Sequence, residues 1–148
     1  MATYSFISFV ASIDGPGGTF GLGYGAGNAE EGVTVSMVED KNTMMIGADG
    51  TPMNSLHAGN GGTATVRLLK VSPVNALLMG MYNYQKQNPA VWGQNVISMA
   101  DVARGDSITL SVCAFKKAPD LTYAKDGGTV EWTFDVGQVT EILGVGIV

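Results

Sequence analysis

Along most of this chain apolar and polar residues alternate between glycine-rich turns, which is the period of half-buried β-strands. Val33, Val35 and Met37 stand against Thr34, Ser36 and Val38 over Gly32–Glu39, and Ala64, Val66 and Leu68 against Thr63, Thr65 and Arg67 over Thr63–Lys70. Tyr4–Ile13 is more mixed, as in a strand covered on both faces, and the Asp14-Gly15-Pro16-Gly17-Gly18 cluster turns it back into Thr19–Tyr24. Further strands are predicted at Asn95–Asp101, Ser107–Phe115 and Thr129–Val136, with turns at Arg104-Gly105-Asp106 and Asp126-Gly127-Gly128. The last segment, Ile142–Val148, is apolar throughout, so this end is expected to be covered.

One interval breaks the alternation. From Ser72 to Asn88 the apolar residues Val74, Leu77, Leu78, Met81 and Tyr84 fall at helical spacing, after a serine suited to capping and a proline suited to the first helical position. Gly80 costs about 1 kcal/mol relative to alanine inside a helix, so this helix depends on its packing. The predicted fold is therefore mainly β: one domain over residues 1–148, an antiparallel β-barrel or sandwich with a single flanking helix.

Between two of the predicted strands lies Asp40–Gly59, with turn signals at Lys41-Asn42 and Asp49-Gly50-Thr51-Pro52 around Met44-Met45-Ile46. Ten residues out and ten back at about 3.3 Å each reach roughly 33 Å. A domain of this size has a radius of gyration near ~15 Å, so an arm of that length would touch a neighbouring molecule. A surface loop tucked against its own domain is the alternative. Met44, Met45, Ile46 and Met53 favour the arm, because adaptable apolar side chains on a projection want a partner surface.

Charge changes the picture in the same direction. Only 14% of the 148 residues are charged, against roughly 25% in an ordinary soluble domain, while 45% are hydrophobic. A neutral monomer rich in Gly, Ser and Thr would show this, and so would a subunit that hides its exterior against copies of itself. The net charge of −5, with no basic cluster longer than Lys116-Lys117, argues against a phosphate-gripping groove and stable nucleic-acid binding. No basic leader precedes the apolar run near the N-terminus and no span nears 18 apolar residues, so synthesis in a cytoplasm without membrane insertion is expected. Cys113 is alone and reads as a small buried side chain.

Candidate chemistry is sparse. The glycines of Gly21–Gly27 recur every second residue and no helix follows, and Gly59-Asn60-Gly61-Gly62 lacks the lysine of a phosphate loop. His57, the sole histidine, has no second histidine with which to share a metal and no nucleophile elbow to serve. Glu30-Glu31 and Glu39-Asp40 are adjacent acids, which on a strand point to opposite faces, so neither pair forms a glycosidase dyad. No enzyme activity, metal or cofactor is expected. The informative polar residues are Thr129, Glu131, Thr133 and Asp135, an acidic short-chained face opposite Val130, Trp132, Phe134 and Val136. This is either an ordinary solvated face or, repeated around a ring, the wall of a hydrophilic channel that repels phosphates.

Asn28-Ala29-Glu30-Glu31-Gly32-Val33, Glu39-Asp40-Lys41-Asn42-Thr43-Met44, Ser55-Leu56-His57-Ala58-Gly59, Ser72-Pro73-Val74-Asn75, Trp92-Gly93-Gln94-Asn95 and Gly127-Gly128-Thr129-Val130-Glu131-Trp132-Thr133-Phe134, in that order, resemble the tail-tube subunits of contractile-tailed bacteriophages. The resemblance runs from about Tyr4 to Asp135. It implies a structural virion protein forming six-membered rings that stack into the inner tail tube, with DNA passing through the lumen at ejection. It also implies a continuous inner barrel of sheets joined across subunits, and partners in the sheath, baseplate and tail terminator proteins. Asp40, Lys41, Asn42, Met44, Met45, Ile46, Asp49, Met53 and His57 would then contact the adjacent ring, and Thr129, Glu131, Thr133 and Asp135 are the lumen candidates. The competing reading is a β-sandwich that binds carbohydrate or a receptor on a virion or other surface through Trp92, Tyr82, Tyr84 and Trp132. A bacterial secretion tube of related design is a third.

Overall fold

A computed structural model describes residues 3–22 and 28–144. A 3-10 turn at Phe6–Ser8 leads into β1 (Phe9–Gly15), β2 (Gly18–Gly21), β3 (Asn28–Met37), β4 (Asn42–Ile46), β5 (Pro52–Leu56) and β6 (Gly62–Leu69). The helix α1 (Val74–Gln85) follows, then β7 (Asn95–Asp101), β8 (Asp106–Lys117) and β9 (Thr129–Ile142). Seven strands form one antiparallel sheet in the order β2-β1-β7-β8-β9-β6-β3, and β4 and β5 pair separately. The fold is thus the mainly β, one-helix class that the alternation predicts, in its sandwich-like form. The described strands close no barrel within the chain.

The sheet becomes two layers at a corner in its longest strands. In β8 the inward positions are Ile108 and Leu110, then Cys113 and Phe115; in β9 they run from Val130 to Val136 and resume at Val139. Each strand therefore shifts its inward face by one residue at the same level, where Ser111 pairs Gln138 and Cys113 pairs Val136. β7 and β8 shift register between Asn95 and Ile97 at that level, as a bulge does. Val112 carries the distortion with φ +54, rare for a β-branched residue. Gly137 accommodates it: a Cβ there would lie 2.8 Å from the Val112 Cβ.

Between the layers sit Ile13, Val66, Leu68, Ile97, Leu110, Phe115, Trp132 and Phe134, each nearly or fully buried. The Phe115 and Phe134 rings lie 4.8 Å apart, and the Phe115 and Trp132 rings 5.9 Å. Cys113 is buried there, its thiol donates to the Leu110 carbonyl at 3.3 Å, and burial raises its pKa to about 11.

The helix packs Val74, Leu78 and Met81 into this core and is shorter than Ser72–Asn88. Its N-cap is Pro73, which makes no side-chain cap bond, rather than Ser72; Ser72 stands one residue earlier, where its Oγ accepts from the Val74 N–H at 3.3 Å. Asn88 precedes Pro89, which disfavours helical geometry, and the helix ends before it. Leu77 and Tyr84 are exposed, contrary to the predicted face, and Gln85 is buried in their stead. Its amide nitrogen donates to the Pro16 carbonyl (2.8 Å) and Asn95 Oδ1 (2.7 Å), and its Oε1 accepts from Asn95 Nδ2 (3.1 Å). Asn75 at the other end of α1 accepts from Trp132 Nε1 at 3.0 Å. Two amide clasps therefore fix the helix on the sheet.

Other boundaries moved for local reasons. The strand predicted from Tyr4 begins at Phe9, because Ser5 ties its side chain and carbonyl to the N–H groups of Ile7 and Ser8. β9 runs past Val136 to Ile142 because β8 offers it a partner that far. Asp126-Gly127-Gly128 closes a long 118–128 loop rather than a tight hairpin. The end of the predicted strand Thr19–Tyr24 and the tail beyond Gly144 lie outside the described residues.

Candidate functional site

The chain offers two surfaces, and each is built by strand pairing. The segment Asp40–Gly59 is a β-hairpin whose strand residues are all exposed. Asn42 faces Leu56, Thr43 faces Ser55, Met44 faces Asn54, Met45 faces Met53 and Ile46 faces Pro52. Successive pairs present opposite faces, so Met45 and Met53 lie on one side and Met44, Ile46 and Leu56 on the other. Each face carries large apolar side chains, beside Thr43 and Ser55 on the first and Asn42 and Asn54 on the second, and every strand residue is exposed.

The stem is stitched to the sheet. The Val38 N–H donates to the Gly61 carbonyl at 3.1 Å and the His57 N–H to the Lys41 carbonyl at 2.9 Å. Lys41 Nζ donates to the His57 carbonyl (3.2 Å) and to Asn60 Oδ1 (2.5 Å), and the His57 ring meets Thr43 Oγ1 at 2.8 Å. Asn42 reaches Asn54 Oδ1 at 3.2 Å. At the tip, Asp49 Oδ1 accepts from the Thr51 N–H at 3.0 Å. That bond, followed by one from the Thr51 side chain, holds the Asp49 carboxyl below the usual carboxylate range. Lys41, Asn42 and His57 are therefore stem-forming groups, while Met44, Met45, Ile46, Asp49 and Met53 point outward together with exposed Asp40. Leu56, 84% exposed, belongs with them and was not singled out in the sequence. Its position opposite Asn42 follows only from the register.

The second surface is the outer face of β3, β6, β9 and the end of β8. Thr129, Glu131 and Asp135 are exposed and Thr133 is half-buried. Pairing sets Leu69, Arg67, Thr65 and Thr63 of β6 directly beside them, and Thr34 and Ser36 of β3 beyond. Arg67 Nε lies 3.5 Å from Glu131 Oε2, and its Nη1 donates to Thr34 Oγ1 at 2.8 Å. Lys117 pairs with Thr133. The stripe is acidic along β9, but across the described face Arg67 and Lys117 stand against Glu131 and Asp135. Sequence reasoning found the polar side of both strands and missed Arg67, because nothing local says that β6 and β9 are neighbours.

The aromatic residues needed for carbohydrate recognition do not form a platform. Trp132 is buried, and Tyr82 and Trp92 are half-buried against Phe115. Of the four, Tyr84 alone is exposed. Among the described residues no three His, Cys, Asp or Glu side chains converge as metal ligands, and no helix is long and apolar enough to cross a membrane.

The sequence matches the family described as bacteriophage PhiTE tail tube protein over residues 1–144. No curated protein sequence matches it. Among solved structures, it is similar to a chain of an extracellular contractile injection system, the PVC sheath/tube terminator in the extended state. The TM-score is 0.61 at 14% identity, covering 96% of this chain and 98% of that one. A chain of the PVC sheath-tube complex gives TM-score 0.58 at 13% identity, covering 91% and 88%. A chain of the anti-feeding prophage tube terminating cap gives 0.55 at 10%, covering 97% and 95%. At these identities the structural likeness speaks for the fold.

Proposed function

The chain belongs to the bacteriophage PhiTE tail tube protein family, a structural family and not an enzyme family, and from that premise we propose how its two surfaces serve a tube. Six subunits close a ring and rings stack into the inner tube of a contractile tail. The β4–β5 hairpin contacts the adjacent ring through Asp40, Met44, Met45, Ile46, Asp49 and Met53, with Lys41, Asn42 and His57 shaping its base. Thr129, Glu131, Thr133 and Asp135 face the lumen, where short hydroxyls and acids give DNA little to grip during ejection. Sheath, terminator and baseplate proteins are its partners in the virion, after synthesis in the host cytoplasm.

The observation that carries this reading is the hairpin: ten strand residues, every one exposed, with apolar side chains on both faces. Monomeric proteins rarely expose such a ribbon, and a two-stranded hairpin alone in water is marginal. The described sheet also ends in β2 and β3, whose outer edges pair with nothing in it, and ring closure would pair such edges between subunits.

Electron microscopy of the purified protein tests the reading. Tubes of constant diameter with six-fold end views are expected, and deletion of Thr43–Met53 should leave monomers or single rings. Long uniform tubes from the deletion variant would remove the hairpin from the ring-to-ring contact. Glu131→Lys with Asp135→Lys should leave assembly intact and slow DNA ejection from reconstituted particles; unchanged ejection would refute the lumen assignment.

A further inference from the structure

Toward the β7–β8 turn the inward face of the sheet stops being apolar. Along β7 the buried positions are Asn95, Ile97, Met99 and Asp101, and along β8 Asp106 and Ile108 lead on the same side to Leu110. Asp101 pairs directly with Asp106 across the turn, and Phe9 of β1 pairs with Asp101 from the other side. Residues paired in this way share a face with Cβ atoms about 5 Å apart, so two carboxylates stand side by side. With Tyr4, Phe9, Met99, Ala100 and Ile108 they line a cavity of about 120 Å³.

Asp101 is the anomaly. It is only 6% exposed, and its buried Oδ1 finds no hydrogen-bond donor among the described residues. A buried carboxylate oxygen without a donor is costly, and a second acid directly opposite adds repulsion. No basic partner offsets this: Arg104 sits in the same turn, yet the one ion pair among the described residues joins Arg67 to Glu131. Asp106 is held in place, its Oδ1 accepting from the Gly144 N–H at 2.8 Å, which leaves its other oxygen to share. The frame around the pair is tight as well. The Gly105 N–H donates to the Asp101 carbonyl at 2.8 Å, and a Cβ on Gly144 would overlap the Arg104 carbonyl.

We propose that Asp101 and Asp106 bind a hard divalent cation, calcium or magnesium, taken from solution. Such ions take oxygen ligands and complete their shells with water, so two carboxylates can hold one where zinc would favour nitrogen or sulfur. The cavity has room for an ion and a few waters, each water filling about 30 Å³. Bound there, the ion neutralises the pair and supplies the buried Asp101 oxygen with the positive partner that the chain withholds. It also ties the β7–β8 turn to both ends of the described chain, with Tyr4 on the cavity wall and Gly144 fastened through Asp106. The site belongs to the single subunit and does not depend on the ring or channel assignments.

Denaturant unfolding of the dilute, unassembled subunit tests the site. With a dissociation constant on the order of 1 mM, calcium or magnesium at about 10 mM should lower the unfolding equilibrium constant about tenfold relative to chelator-treated protein at the same ionic strength. Asp101→Asn and Asp106→Asn keep the size of each side chain, and the new amide can donate to the remaining carboxylate. Each variant should resist unfolding in chelator at least as well as wild type and lose the response to either cation. Asp14→Asn, at an exposed acid bonded to Thr19, should keep that response. Terbium, a hard lanthanide that substitutes for calcium, reads binding directly: its tyrosine-sensitised emission should rise with wild type and fall sharply when both Asp101 and Asp106 are replaced. A wild type indifferent to both cations, an Asn variant that responds as wild type does, or undiminished terbium emission from the double variant would each overturn the assignment.

Discussion

The β4–β5 hairpin and the β8–β9 corner are both antiparallel pairs rich in large apolar side chains, and they differ in what lies over them. At the corner Phe115, Trp132 and Phe134 close on one another and on the helix, and all three are buried. In the hairpin Met45 faces Met53 across the same kind of ladder, and the two remain 65% and 57% exposed. Both are antiparallel ladders, so strand pairing alone does not decide which of them is covered. The third layer does, and for the hairpin that layer is missing from the chain. Apolar residues thus hold the subunit together in one region and leave binding surface in the other, and each substitution below separates the two uses.

The largest effect should come from Trp132→Ala. It opens a cavity in the aromatic cluster and leaves Asn75 without its indole donor, which predicts a loss of about 3–5 kcal/mol in denaturant unfolding of dilute, unassembled protein. A loss under 1 kcal/mol would mean that the corner is no better packed than the hairpin. Next comes Asn95→Ala. It strands the buried Gln85 amide and should cost about 1–3 kcal/mol, whereas Asn42→Ala, which breaks an exposed amide pair in the hairpin, should stay within about 0.5 kcal/mol. Equal costs at the two sites would erase the contrast.

What was legible in the sequence follows the same division. The alternation in Thr63–Lys70 and in Thr129–Val136 gave strands with the correct buried faces, since Ala64, Val66, Leu68, Trp132 and Phe134 all point inward. Asp49-Gly50-Thr51-Pro52 marked the hairpin turn, because an aspartate beside a glycine makes the local bond to Thr51. The corner was not legible: a strand that changes its inward face between Leu110 and Cys113 looks like a flaw in the period until its partner makes the same step. Gln85 was missed because a polar side chain is buried only where a partner such as Asn95 waits, and no period announces that. For Arg67 the alternation shows only that it shares the polar side of its strand with Thr63 and Thr65, since its ion pair with Glu131 exists only through the β6–β9 register.

A smaller effect of opposite sign tests the helix. Gly80 has open space around a Cβ, so Gly80→Ala meets no neighbour and removes backbone freedom from the unfolded chain. Stability should rise by about 0.5–1 kcal/mol in the same unfolding assay. A loss instead would show that the exposed side of α1 is constrained as tightly as its buried side, and that the subunit body extends further outward than its core.

The smallest expected change in subunit stability is the most informative about the hairpin. Met45→Gln with Met53→Gln keeps two unbranched side chains of similar length and every backbone bond of the ladder, and removes apolar character from one face alone. Neither methionine belongs to the buried core, so unfolding of the dilute subunit should shift by no more than about 0.5 kcal/mol. Assembly should respond strongly, because the area these methionines would bury against another subunit is worth about 25 cal/mol per Å² and two side chains change in every copy. Sedimentation of wild type and variant at matched concentrations reads assembly, and denaturant unfolding of the dilute subunit reads stability: tubes lost with unchanged unfolding place the methionines at an intermolecular contact. A melt lowered by 2 kcal/mol would place them inside the subunit, and the hairpin would then be a second, smaller core rather than a surface awaiting one.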